Sequence, residues 1–153
     1  MEEAKLGPFD MLQIAGSALS AERQRSEVIA TNMANAETTH TEGGGPFKRK
    51  EVVFASSSNA SFHLAFANST NQAAKAAGTV HISQVVDDTA PPVMRYEPGH
   101  PDADQNGFVA YPAINPVQEM VDLMGSTRAY QLNASAVSAA KQMIQQSIDI
   151  LKS

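Results

Sequence analysis

The stretch Asp102-Ala103-Asp104-Gln105-Asn106-Gly107 carries the sharpest chemical signal in the chain. Oxygen-bearing side chains at alternate positions, followed by glycine, open the calcium loop of an EF-hand, where they converge on one ion. That loop closes on a bidentate glutamate at its twelfth position, and here the twelfth position is Ala113. The flanks are Pro-rich and strand-like instead of helical. Asp, Asn and Gly are also the ordinary residues of tight turns. A structural turn is the leading reading, and a calcium-responsive binding module on residues 102–106 is the alternative.

Other reactive side chains do not assemble into a recognisable site. His40, His63, His81 and His100 show no metal-ligand spacing. Ser17, Ser20 and Ser26 lack the strand–turn–helix context of a nucleophile elbow. Gly43-Gly44-Gly45 is not followed by the Lys-Ser/Thr of a phosphate loop. No carboxylate pair is spaced for acid–base work. The chain has no cysteine, which excludes disulfides, thiolate nucleophiles and Cys-based zinc sites. We therefore expect neither an enzyme nor a cofactor. Lys48-Arg49-Lys50 is the one basic run and reads as a solvated loop. With a net charge of −5 there is no field for nucleic acid.

The elements that hold these residues in place are dominated by the two ends. Residues 116–151 carry apolar side chains at alternating steps of three and four: Met120, Leu123, Thr127, Tyr130, Ala134, Val137, Lys141, Ile144, Ile148 and Leu151. Only Thr127 and Lys141 interrupt the stripe, which is a coiled-coil seam. Lys141 is read as covering apolar surface with its methylenes. Asn115 suits the N-cap of this helix, Pro116 its first position, and Gln118 the third position of a capping box. At about 1.5 Å per residue the rod would be roughly 54 Å long. A second, shorter seam of Leu12, Ala15, Leu19, Glu22, Ser26, Ile29 and Met33 lies in residues 9–33. That helix should start near Gly7-Pro8-Phe9 and stop near Asn35, after the weak helix formers Asn32 and Asn35.

Between the helices, Gly43-Gly44-Gly45-Pro46 breaks any regular structure. Val52-Val53-Phe54 reads as a short strand. Residues 55–78 are Ser-, Asn- and Ala-rich and read as a loop, with a strand-like island at residues 63–66 and a possible short helix at 72–77. Residues 79–86 alternate at period two and form the best strand, expected to pair with residues 93–96 across Pro91-Pro92. Phe108-Val109-Ala110-Tyr111 would add a further short strand.

The bulk composition agrees with this layout. A chain of 153 residues can form one domain, but 6% aromatic content, no Trp and many alanines leave little for a deep core. Much of the apolar surface should be shallow or intermolecular. The acidic N-terminus, Met1-Glu2-Glu3-Ala4-Lys5, gives no expectation of a cleaved signal peptide, and no run approaches a membrane span. The expected fold is mainly α: two long terminal helices pairing as a coiled-coil-like hairpin around a small irregular β-containing segment. Residues 1–37 and 115–153 would form one discontinuous domain, with 38–114 between them.

Specific motifs then resemble a family. Ala30-Thr31-Asn32-Met33-Ala34-Asn35-Ala36-Glu37-Thr38-Thr39 is similar to the Asn-rich signature of bacterial flagellar rod and hook proteins. Gly44-Gly45-Pro46-Phe47-Lys48-Arg49-Lys50 follows as in the short rod subunits. Tyr96-Glu97-Pro98-Gly99-His100-Pro101-Asp102-Ala103-Asp104, then Gly107-Phe108-Val109-Ala110-Tyr111-Pro112 and Asn115-Pro116-Val117-Gln118-Glu119-Met120-Val121-Asp122, resemble the proximal rod subunits most specifically. Thr31 stands where the wider family often has another Asn.

This resemblance implies a structural subunit of the basal-body rod that polymerises through its terminal helices. It implies export by the flagellar type III apparatus without a cleaved signal, and residence in the periplasmic rod. The implied partners are other rod subunits, further copies of the chain, and the adaptor and MS ring on the export-gate side. No nucleic acid or membrane insertion is implied. A soluble export-associated adaptor is a further alternative. The assembly residues would be Leu12, Ala15, Leu19, Ile29, Asn32, Met33, Asn35, Met120, Leu123, Tyr130, Val137, Ile144, Ile148 and Leu151. The contact turn would comprise Pro98, Gly99, His100, Pro101, Asp102, Asp104 and Gly107.

Overall fold

The computed structural model describes residues 7–57 and 78–152. In chain order they form α1 (Pro8–Ala34), β1 (Lys50–Ser57), β2 (Thr79–Asp87), β3 (Val93–Tyr96), β4 (Phe108–Tyr111) and α2 (Pro116–Lys152). The protein is mainly helical with a small β middle.

Local chemistry accounts for the helix ends. At the start of α1 the Gly7 N–H donates to Asp10 Oδ2 at 3.0 Å, so an acidic side chain in the first turn meets the positive end of the helix. At its end Asn35 Nδ2 donates to the Thr31 carbonyl at 2.9 Å, satisfying a last-turn acceptor. Asn115 caps α2 as its sequence suggests, with Oδ1 accepting from Val117 N at 3.0 Å and from Gln118 N at 3.4 Å. Over its 37 residues, α2 folds several hydroxyls onto its own backbone. Thr127, Ser135, Ser138 and Ser147 each donate to the carbonyl four residues earlier.

The chain falls into two compact units. One comprises Met1–Arg23, Phe54–Ser83 and Arg128–Ser153; the other comprises Gln24–Val53 and Gln84–Thr127. Among the described residues of the first unit the buried apolar ones are Ala15, Ala21 and Ala140, the shallow core that the composition implied. Ser17 ties α1 to the start of β2 there, its Oγ accepting the Val80 N–H at 3.1 Å and donating to the Ile14 carbonyl at 2.8 Å. In the second unit the helix segments run antiparallel. Ser26 and Ser126 share a hydroxyl–hydroxyl bond of 2.8 Å, and further along α1 Asn32 reaches Glu119, earlier in α2.

The strand pairing differs from expectation. β2 joins β1, and β3 joins β4, in two separate two-stranded sheets. The residues between β2 and β3 are committed elsewhere. Asp88 N donates to the Arg49 carbonyl at 2.7 Å, which keeps the chain beside the entry to β1. Its Oδ1 accepts Ala90 N at 2.9 Å, and Pro91-Pro92 supply no N–H for a ladder. β1 also runs on to Ser57, through residues expected to be loop, because pairing with β2 outweighs weak strand propensity. The strand-like island at residues 63–66 and the short helix at 72–77 lie outside the described residues.

Candidate assembly surfaces and the polar clamp beneath them

Three segments of the second unit converge on a buried carboxylate. Glu119, in the first turns of α2, is 1% exposed. Its Oε1 accepts Arg49 Nε at 2.6 Å and its Oε2 accepts Asn32 Nδ2 at 3.2 Å. Asn32, near the end of α1 and equally buried, also binds the first residue of β1 through both backbone groups. Its Nδ2 donates to the Lys50 carbonyl, and its Oδ1 accepts the Lys50 N–H, each at 2.9 Å. The side-chain amide thus imitates one rung of a sheet. Arg49 further pairs with Glu51 and approaches Asp122 at 4.0 Å.

The electrostatics of this cluster favour closure. Burial disfavours the Arg49 charge, but the bonds and charges of Glu119 and then Glu51 outweigh it, and its pKa is raised above the usual arginine value. A carboxylate as buried as Glu119 is tolerable only with such a partner. Arg49 is therefore no solvated loop residue, as the basic run alone suggested. Among the described residues no buried side-chain nitrogen or oxygen lacks a hydrogen-bond partner. With its polar atoms committed within one unit, the cluster acts as a clamp joining α1, β1 and α2.

The turn between β3 and β4 is organised by its own residues. Asp104 Oδ1 accepts the N–H groups of Asn106 and Phe108, both at 2.8 Å. Asp102 Oδ2 accepts the Thr39 hydroxyl at 2.7 Å. Gly107 has a φ of +81°, and a Cβ there would lie 2.9 Å from Tyr96 Cε2 and 3.1 Å from Pro98 Cβ. Only glycine fits. Tyr111, at the end of β4, donates its hydroxyl to Glu97 Oε2 at 2.9 Å, and the Arg95 guanidinium lies 4.4 Å from its ring centre. The hydrogen bond to Glu97, followed by burial, raises the Tyr111 pKa above the usual tyrosine value.

The expected assembly residues distribute unevenly. Ala15, Ile29 and Asn32 are buried, while Leu12, Leu19, Met33, Asn35, Leu123, Val137 and Ile144 are half-buried. Met120, Tyr130, Ile148 and Leu151 are exposed. The fully covered positions of α2, Glu119, Ser126 and Ala140, each precede a seam position by one residue. That offset turns the inward line about 100° from Met120, Thr127 and Lys141. In the turn, His100 and Gly107 are half-buried, while Pro98, Gly99, Pro101, Asp102 and Asp104 are exposed.

Sequence reasoning missed two outward faces. On α2, Val117 and Met124 are 69% and 67% exposed, and Val121 lies between them. Their spacing of i, i+4 and i+7 was visible, but the heptad frame assigned them to the outside of a seam. On the hairpin, Met94 and Tyr96 are 52% and 66% exposed, beside Phe108. Neither surface, nor the clamp, resembles a reaction centre.

Two family models match the chain. Residues 12–39 match "Flagella basal body rod protein", and residues 105–150 match "Flagellar basal body rod FlgEFG protein C-terminal". Full-length similarity is more decisive. The chain is 37% identical over 137 residues to the flagellar basal-body rod protein FlgC of Escherichia coli O6:H1, covering 89% of this chain and 92% of that protein. It is 34% identical to the FlgC protein of Bacillus subtilis, covering 94% and 98% respectively. The chain belongs to the FlgC family of flagellar basal-body rod proteins. Similarity to the FlgC protein of Borreliella burgdorferi, 32% over 157 residues, covers 96% of this chain and 99% of that one.

Membership of the FlgC family makes the chain a structural subunit of the flagellar basal-body rod and not an enzyme. It assembles with other rod components at the basal body. The calcium-module alternative is not sustained: Asp104 is engaged by backbone N–H groups, and the relatives are rod proteins. Among the described residues no helix is long and apolar enough to cross a membrane.

Proposed function

We propose that the chain builds the proximal part of the rod, the drive shaft that transmits torque, and that its terminal helices are the polymerising parts. They pair as a coiled-coil-like hairpin, forming one discontinuous domain, and offer their remaining faces to neighbouring subunits. The observation supporting this reading is the exposure of Met120, Tyr130, Ile148 and Leu151 along a helix of 37 residues. Apolar side chains repeated along one long element favour intermolecular burial. The turn carrying Pro98, Gly99, His100, Pro101, Asp102, Asp104 and Gly107 adds a rigid second contact, because an already ordered loop loses little entropy on assembly.

In this reading the protein passes through the flagellar type III export apparatus without a cleaved signal and acts in the periplasm. It meets its own copies, other rod subunits, and the adaptor and MS ring at the export gate. Two substitutions test the helix assignment. Val137→Asp and Leu151→Asp should each abolish motility and rod assembly. Leu151 is exposed in the isolated chain, so its variant should retain the normal helical circular dichroism. Motile cells with intact rods carrying both variants would refute the assignment.

A further inference from the structure

Of the chain's asparagines, Asn106 alone precedes glycine. In an unfolded chain that pair is chemically labile, which is one reason asparagine counts as a thermolabile residue. The glycine nitrogen, with no side chain beside it to hinder approach, attacks the asparagine carboxamide carbon. A new carbon–nitrogen bond closes a succinimide ring as the bond to the side-chain nitrogen breaks and ammonia leaves. Water then opens the ring at one of its two carbonyls. The products are aspartate and isoaspartate, the latter with its backbone rerouted through the side-chain carbon. Water is the only co-reactant.

The fold both imposes this pair and restrains it. Gly107 has a φ of +81° and no room for a Cβ beside Tyr96, so the glycine is fixed by the turn. Asn106 itself is exposed, and burial gives it no protection. Hydrogen bonds do. The Gly107 N–H donates to the Asp104 carbonyl at 3.0 Å, and the Gly107 carbonyl accepts the Glu97 N–H at 2.8 Å. On the other side, the Asn106 N–H donates to Asp104 Oδ1 at 2.8 Å. Ring closure requires the Gly107 nitrogen to give up its proton and the backbone to rotate until that nitrogen faces the carboxamide carbon. Each move breaks a bond of the closed turn.

We propose that Asn106 is a site of spontaneous deamidation gated by the fold: the closed turn suppresses the reaction, and a chain held unfolded loses ammonia there first. The two products have different fates. Aspartate is an ordinary residue for an exposed turn position. Isoaspartate adds a backbone carbon between the Asp104 carbonyl and the Gly107 N–H, so the bonds on the two sides of Gly107 no longer fit together. The reaction therefore marks, irreversibly, chains that stayed unfolded too long, and it hinders closure of the β3–β4 turn in them.

The full chain tests this directly. It is incubated in mildly alkaline buffer, folded in one arm and unfolded in guanidinium chloride in the other, then digested. Mass spectrometry follows deamidation at each asparagine, and isoaspartyl methylation reports the rerouted product. Asn106 is expected to react at least tenfold faster in the unfolded arm than in the folded one. Within the unfolded arm it should also outpace Asn133, which precedes alanine, at least tenfold. Asp104→Ala removes the carboxylate that holds Asn106 and Phe108. Under conditions where its helical circular dichroism matches wild type, it should speed the folded-arm reaction at least threefold. Equal rates in the two arms, or an unfolded Asn106 no faster than Asn133, would overturn the proposal. So would an Asp104→Ala chain as slow as wild type, since protection would then not come from the turn.

Discussion

The side-chain amide of Asn32 holds both backbone groups of Lys50, donating to its carbonyl and accepting its N–H at 2.9 Å each. The end of one helix is thereby stitched to the first rung of a strand. Asn32→Ala would leave these groups and Glu119 short of partners, at a cost of about 1–3 kcal/mol. Asn32→Asp should be worse, because an oxygen would replace Nδ2 at 3.2 Å from Glu119 Oε2. Urea unfolding of the purified chain followed by circular dichroism measures both, and equal stability of the two variants would contradict the donor role.

Arg49 and Glu119 should behave as a coupled pair. Glu119→Ala leaves the guanidinium with only Glu51 and the more distant Asp122, and is expected to cost about 1–3 kcal/mol. Combining it with Arg49→Met removes the stranded charge, so the double variant should cost less than the sum by about 1–3 kcal/mol. A double-mutant cycle by denaturant unfolding gives this coupling directly, and strict additivity would mean the pair is incidental.

Gly107→Ala forces a side chain into a positive-φ position and against Tyr96 and Pro98. We expect a loss of about 1–3 kcal/mol. The Tyr96 ring should move with it, changing the near-ultraviolet circular dichroism and the aromatic NMR signals. Gly99→Ala has open space around its Cβ and should change neither.

Tyr111 predicts an alkaline limit. Its hydroxyl donates to Glu97 only while protonated, and its folded-state pKa is raised above the tyrosine value of about 10. A raised folded pKa means the stabilisation is present below about pH 10 and is lost as pH rises through the raised value. Phenolate absorbance in a Tyr96→Phe, Tyr130→Phe background should show Tyr111 titrating above free tyrosine, and Glu97→Gln should lower that pKa.

The helices were largely legible because their signals are local. Asn115-Pro116 opens α2 through bonds spanning two or three residues, and α1 runs from Pro8 to Ala34, where Asn35 turns its amide back onto the Thr31 carbonyl. Strand partners were not legible, since alternation marks a strand without naming its neighbour. β2 goes to β1 instead of β3 because of long-range choices such as Asp88 N to the Arg49 carbonyl. The clamp was hidden for a similar reason. In the sequence Glu119 is only one residue of the motif that opens α2, and Arg49 reads as part of a solvated basic run. Only the fold brings them within 2.6 Å. Periodicity revealed which α2 residues are apolar but misjudged the inward line, where Ser126 and Ala140 are covered in place of their neighbours.

The clamp also imposes an order on folding from the N-terminus. Asn32 and Glu119 are 87 residues apart, so the clamp stays open until most of the chain is available to fold. Until then its members are polar groups that water hydrates well, unlike an unfinished apolar core. A latch of this kind closes late, when the beginning of the last helix comes into place.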